Sequence, residues 1–214
     1  MRRALALVQV QVLALAFVLV LVACDSSPMA AKPQDIFADR LVAFAPGSHA
    51  GFGQDKLPAI VLGSPHGAGD KAGSLHVVSL GNQGTIVVAF DDLLAVDGVG
   101  PDLVVFENAF TGFVETGAVA ASMDGQTWHA WPCQPHKGAA SGCAGQTPVY
   151  LAPEAFVVTQ PFAKWGGDAF DLGEIGLKSA RYIRITDSGA NDYEGITGGF
   201  DLDAVAVINS APVN

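Results

Sequence analysis

The sequence predicts an all-β fold, a single β-sandwich, on three observations. Twenty-five Gly and 12 Pro are spread among Val-rich runs, the pattern of many short strands joined by turns. Short apolar, β-branched segments recur along the chain between those turns. Helical period is absent over any useful length, residues 38–44 reading as a turn or two at most. Half of the 214 residues are apolar and 15% are charged, which excludes a disordered chain. A formal charge of −10 excludes nucleic acid as an expected partner, because it repels phosphate.

Residues 1–23 read as an address. Met1-Arg2-Arg3 opens with positive charge, and residues 4–23 follow without any. Leu21-Val22-Ala23-Cys24 then looks like a bacterial lipobox, in which the cysteine is acylated and becomes the mature N-terminus. Lipidation is therefore expected at Cys24, with the membrane as partner through that lipid and the cell envelope as location. An uncleaved membrane anchor is the competing reading, since twenty apolar residues can span a bilayer. Removing residues 1–23 takes away two Arg and no acid, deepening the net charge from −10 to −12. Residues 24–34 carry the lipidated cysteine and a small, polar tether. The sandwich is expected over residues 35–210, with 211–214 as a tail.

Within that domain, residues 59–62 and 75–80 read as strands. Asn82-Gln83-Gly84 turns the chain, and residues 85–90 return as the second strand of a hairpin. Residues 103–106, 119–123, 182–186 and 204–208 are further strands. If Cys24 carries lipid, Cys133 and Cys143 remain, and export places them where a disulfide persists. A Cys/His metal site with His129 and His136 competes, without C-x-x-C or H-x-H spacing to support it.

Three local patterns carry a resemblance. Ser122-Met123-Asp124-Gly125-Gln126-Thr127-Trp128 looks like the S-x-D-G-x-T-W hairpin of discoidin-like domains, the coagulation-factor type C, galactose-binding-like family. Ala180-Arg181-Tyr182-Ile183-Arg184-Ile185 is similar to a strand of those domains, and Phe200-Asp201-Leu202-Asp203-Ala204-Val205 sits where their closing strand sits. The resemblance covers the second half of the domain and implies a jelly roll. The chain also resembles poorly characterised bacterial cell-surface lipoproteins. That likeness rests on Leu57-Pro58-Ala59-Ile60-Val61-Leu62-Gly63, Gly100-Pro101-Asp102-Leu103-Val104-Val105-Phe106-Glu107-Asn108 and Gly166-Gly167-Asp168-Ala169-Phe170-Asp171-Leu172. It implies a place and a shape but no reaction.

The catalytic inventory is thin. No G-x-S-x-G, H-E-x-x-H or Walker loop occurs, and the five His stand singly. Acids are more informative, because residues 72–136 contain seven of them and no Lys or Arg. Solvated loops account for Asp91, Asp92 and Glu115 in this reading. Acids beside Gly-rich turns suit a hard cation, and many discoidin-like domains hold a structural calcium, so calcium is the expected cofactor. Its expected ligands are Asp97, Asp102, Glu107, Asp168 and Asp203. Alternation along the strands puts Glu107 on the face of Leu103 and Val105, and Asp203 on that of Val205 and Val207. Trp128 reads as packing, whereas Trp131 and Trp165 read as exposed rings able to stack on a sugar. The expected function is a non-catalytic, lipid-anchored, calcium-stabilised module that binds a glycan or another envelope component. The alternatives are a secreted polysaccharide hydrolase or lyase working through paired carboxylates, and a purely structural envelope protein.

Overall fold

Strand β10, Tyr182–Asp187, shows why these residues extend. Ile183 and Ile185 are fully buried, while Tyr182, Arg184 and Thr186 between them are half-buried. One apolar face and one polar face at period two is the signature of a strand covering a core. The structure is a computed structural model that describes residues 35–150, 162–190 and 195–213. Cys24, with the leader and tether, lies outside the described residues.

The described residues form an all-β, sandwich-like fold of antiparallel sheets. One sheet runs β1 (Arg40–Ala45), β3 (Thr85–Ala89), β10, β6 (Gly117–Ser122), β7 (His129–Ala130). The facing sheet runs β2 (Val78–Ser79), β11 (Asp201–Val207), β5 (Leu103–Glu107), β8 (Asp168–Phe170). A small third sheet joins β12 (Ser210–Pro212), β4 (Leu93–Val96) and β9 (Ser179–Ala180). Ile86, Val88, Val119, Ile183 and Ile185 of the first sheet meet Leu103, Val105, Leu202, Val205 and Val207 of the second in one core.

The second sheet is also covered on its other face. Val104, Phe106, Ala204 and Ala206 pack there against Phe37, Val149 and Trp165. Every residue of β5 and β11 is consequently buried. This double burial decides the chemistry of the site, because the acids ending these two strands have no water-facing side to turn to.

Several local expectations are corrected. Residues 59–61 form a 3-10 turn, Ala59–Val61, that packs Ile60 and Val61 into the core. Residues 38–44 hold no helix and contribute to β1. The Asn82-Gln83-Gly84 turn is real but makes no hairpin. β2 pairs with β11 and β3 pairs with β1 and β10, so the turn carries the chain from one sheet to the other. Gln83 takes a left-handed φ of 64°, and its amide donates to Asp187 Oδ1 at 2.8 Å, which fixes this crossing. A side chain on Gly84 would lie 1.9 Å from the Leu80 carbonyl oxygen.

The Asp124-Gly125 turn does close a hairpin, β6 to β7. Asp124 Oδ1 accepts the amides of Gln126 and Thr127, and Gly125 takes φ 72°. Cys133 and Cys143 are joined by a disulfide with their Cα atoms 4.7 Å apart.

Candidate functional site

β5 and β11 run antiparallel with Glu107 opposite Leu202, so the end of one strand meets the start of the other. Three loops gather over this end. Residues 108–116 follow β5 and fold back through paired amide–carbonyl bonds between Phe110 and Phe113 (3.1 and 2.9 Å), whose rings stack at 4.6 Å. Residues 195–200 lead into β11 and are tied down by the Ser79 hydroxyl, which donates to Gly198 O at 2.7 Å. Phe52 exchanges backbone bonds with Ile196 and Ser79, bringing the third loop alongside.

Together they enclose a pocket of about 340 Å³. Phe52, Leu75, Val77, Phe110 and Phe113 supply its apolar wall, and Glu107, Glu115 and Asp201 its acids. Among the described residues, no Lys, Arg or His lines it. Leu75, one of the lining residues, is 77% exposed.

The acids are buried, Glu107 at 2% exposed and Asp201 at 6%. Glu107 Oε2 and Asp201 Oδ1 have no hydrogen-bond partner among the described residues. Burial, reinforced by Asp201 and Glu115, holds the Glu107 carboxyl well above the usual range. Burial likewise pushes Glu115 up to about 9, with Asp201 and Asp187 adding to it. Asp201 rises to about 7 through burial, against the opposing influence of Asn108 and Ser79. Chemically, such a site offers unsatisfied oxygens to a donor-rich ligand and carboxyls that hold protons near neutral pH.

Of the acids expected to share calcium, only part converges. Asp102 precedes β5 and Glu107 ends it, a separation of about 16 Å at strand rise. Asp102 instead meets Asp97 and Asp171, each with a carboxylate oxygen within 4.8 Å of the others'. Its oxygens accept the amides of Gly98 (2.9 Å) and Leu172 (2.8 Å) and the Asn209 side chain (2.8 Å). Lys178 donates to Asp97 at 2.5 Å. Asp168, opposite Val105, accepts three amides and the hydroxyl of the 145–147 turn, clasping the segment that follows the disulfide.

Asp203 departs from the expected alternation because β11 bulges there. The register jumps from Leu202 to Ala204, so Leu202, not Asp203, shares the core with Val205 and Val207. Both Asp203 oxygens accept the His66 amide, and the His66 and His76 rings stack at 3.6 Å beside it. These two His, ten residues apart and single in the sequence, could be brought together only by tertiary structure.

The aromatic expectations also shift. Trp131 and Trp165 are 4% and 3% exposed, so neither offers a face to a sugar. Trp131 packs on Phe170 and donates to Asp171 O at 2.9 Å. Trp128 is half-buried under the Arg184 guanidinium, 4.4 Å from its ring centre, beside a shallow groove with Tyr182. Glu115, assigned to solvated loop, is instead part of the pocket. Asp91 does face solvent, paired with Arg40 (2.8 Å) and Arg181 (3.0 Å).

The chain matches no model of a known protein family and no curated protein.

Proposed function

We propose that this protein is a lipid-anchored binding module of the cell envelope, built on a discoidin-like jelly roll. Its pocket at the Glu107 end takes a glycan or another surface component and performs no chemistry on it. One observation carries the reading: a cavity with an aromatic and aliphatic wall, lined by Glu107 and Asp201, each of which has one buried oxygen without a partner among the described residues. Ligand sites combine these two features, apolar area for affinity and a few polar groups for orientation. Loops at one end of a sandwich are where such a fold holds its ligand. The lipobox-like segment ending at Cys24 and a disulfide between the remaining cysteines support an exported setting.

The raised pKa values of Glu107, Glu115 and Asp201 favour a second reading, polysaccharide hydrolysis or elimination, because a general acid needs a proton at neutral pH. Calcium enters the proposal only as a stabiliser, at Asp97, Asp102 and Asp171. Three hard oxygens suit the ion but fall short of the six to eight it prefers, so water and carbonyls complete its shell.

The test uses the full chain in detergent, screened on immobilised bacterial and plant glycans with a parallel assay for new reducing ends and unsaturated products. Retention on at least one glycan without product release is expected. Progressive release that stops in Glu107→Gln or Asp201→Asn would transfer the pocket to the hydrolase or lyase reading. Absence of retention on any glycan would overturn the glycan reading.

A further inference from the structure

We propose that the pocket recognises an ammonium group, carried on a body that is apolar or sugar-like on its flanks, with Glu107 and Asp201 receiving the charge. This rests on the binding reading above and names the ligand class for the same site.

Glu107 and Asp201, which line the cavity, each carry a buried oxygen without a partner, Oε2 and Oδ1, and no Lys, Arg or His lines it among the described residues. An unsatisfied buried carboxyl is costly to the fold, so a group that satisfies it contributes correspondingly to binding. The ligand must bring hydrogen-bond donors, positive charge, or both. A metal ion brings charge but fits poorly. Calcium–oxygen bonds of about 2.4 Å confine all ligand atoms to a sphere less than about 5 Å across. Glu107, Glu115 and Asp201 do not form a group whose carboxylate oxygens all lie within 4.8 Å of one another. An ammonium does not need all three acids, because its N–H donors go to the two unpartnered oxygens, Glu107 Oε2 and Asp201 Oδ1.

The wall makes the same distinction. Phe52, Val77, Phe110 and Phe113 offer nothing to a hydrated ion, whereas they cover the carbon body behind an amine. The acids on neighbouring elements reinforce the field. Asp187 acts on Glu115 and Asp201, and Asp168 acts on Glu107, all of the same sign. Any guest must compensate this charge or leave the carboxyls protonated.

The experiment compares matched probes on the full chain in detergent by calorimetry and by NMR line broadening. The first pair is benzylamine against benzyl alcohol. The second is a glucosamine tetrasaccharide against its N-acetylated counterpart, in which the amine is neutralised. The aminated member of each pair is expected to bind at least roughly tenfold more tightly. Glu107→Gln and Asp201→Asn should each reduce amine binding by about tenfold and narrow the gap between the aminated and neutral members. The wild-type comparison stands even if one variant fails to fold.

Equal binding of amine and neutral partners would overturn the inference while leaving the binding reading intact. Benzylamine binding with no glycan retained would do the reverse. Competition by millimolar calcium for the amine site would overturn the inference in favour of a metal.

Discussion

The two ends of strand β5 hold the same chemistry and use it differently. Asp102 and Glu107 are both buried, at 0% and 2% exposed, on the same doubly covered sheet. At the Asp102 end the backbone closes on the carboxylate. Gly98 and Leu172 donate their amides, Asn209 donates its side chain, and the turn after β8 is stitched to the turn before β5. At the Glu107 end the surrounding loops stand back, a cavity of about 340 Å³ opens, and one oxygen is left without a donor. Burial alone does not decide whether an acid is structural or functional. The supply of donors does.

That contrast can be broken first at the Asp102 end, where the largest effect is expected. Asp102→Ala leaves two amides and an amide side chain unsatisfied inside the fold. It should cost about 3–5 kcal/mol, read as a lower urea midpoint, with Asp102→Asn costing about half as much. A loss below about 1 kcal/mol for the alanine variant would contradict the structural role.

The Glu107 end should show the opposite sign. Glu115 at about 9 and Asp201 at about 7 lie above their unfolded values of 4.5 and 3.8. The folded chain therefore holds more protons than the unfolded chain between those limits. Stability from this end is fully present near pH 4 and is lost as pH rises toward 9. Denaturation across pH 5 to 9 should show a decline of at least about 1 kcal/mol. Asp124, held at about 2 by the Thr127 and Gln126 amides, acts oppositely: its contribution is present above pH 4 and lost only as pH falls toward 2.

Glu107→Gln sharpens the same point with a smaller effect. The amide cannot ionise, so the variant should match the parent near pH 5 and exceed it by about 1 kcal/mol near pH 9. Equal stability of the two proteins at pH 9 would mean that Glu107 is already compensated. Calcium should produce the smallest effect, since the Asp97, Asp102 and Asp171 oxygens largely have donors already. Millimolar calcium after EDTA should raise Tm by about 1–2 °C, and Asp102→Asn should abolish the rise. An unchanged Tm would remove the ion from the account.

Much of this was legible in the residues, and the failures have physical causes. β3, β5, β6, β10 and β11 carry enough apolar, β-branched residues to announce themselves. β8 and β9 are three and two residues long and exist because neighbours pair with them, which no local pattern encodes. Turn chemistry at residues 82–84 reads as a reversal, but cannot say which sheet receives the returning strand. Glu107 was visible as an acid ending an apolar row. Asp203 was misplaced because a bulge inverts alternation, and Glu115 because its burial comes from β11 and its loops, far along the chain. The absence of Lys and Arg from residues 72–136 looked like uncompensated charge. Arg40, Lys178 and Arg181 supply that compensation to Asp91 and Asp97 from outside the segment. Asp102 is satisfied by amides instead, whereas Glu107 keeps one oxygen without a partner among the described residues.

The most direct test sets the two ends against each other in one binding measurement. Calorimetry with the glucosamine tetrasaccharide should be run on the parent, Asp102→Asn and Glu107→Gln at a temperature where all three are folded. Asp102→Asn should bind like the parent despite its lower stability, and Glu107→Gln should lose roughly tenfold in affinity despite equal or greater stability. Loss of binding in Asp102→Asn with retention in Glu107→Gln would contradict the division between a structural and a functional end of β5.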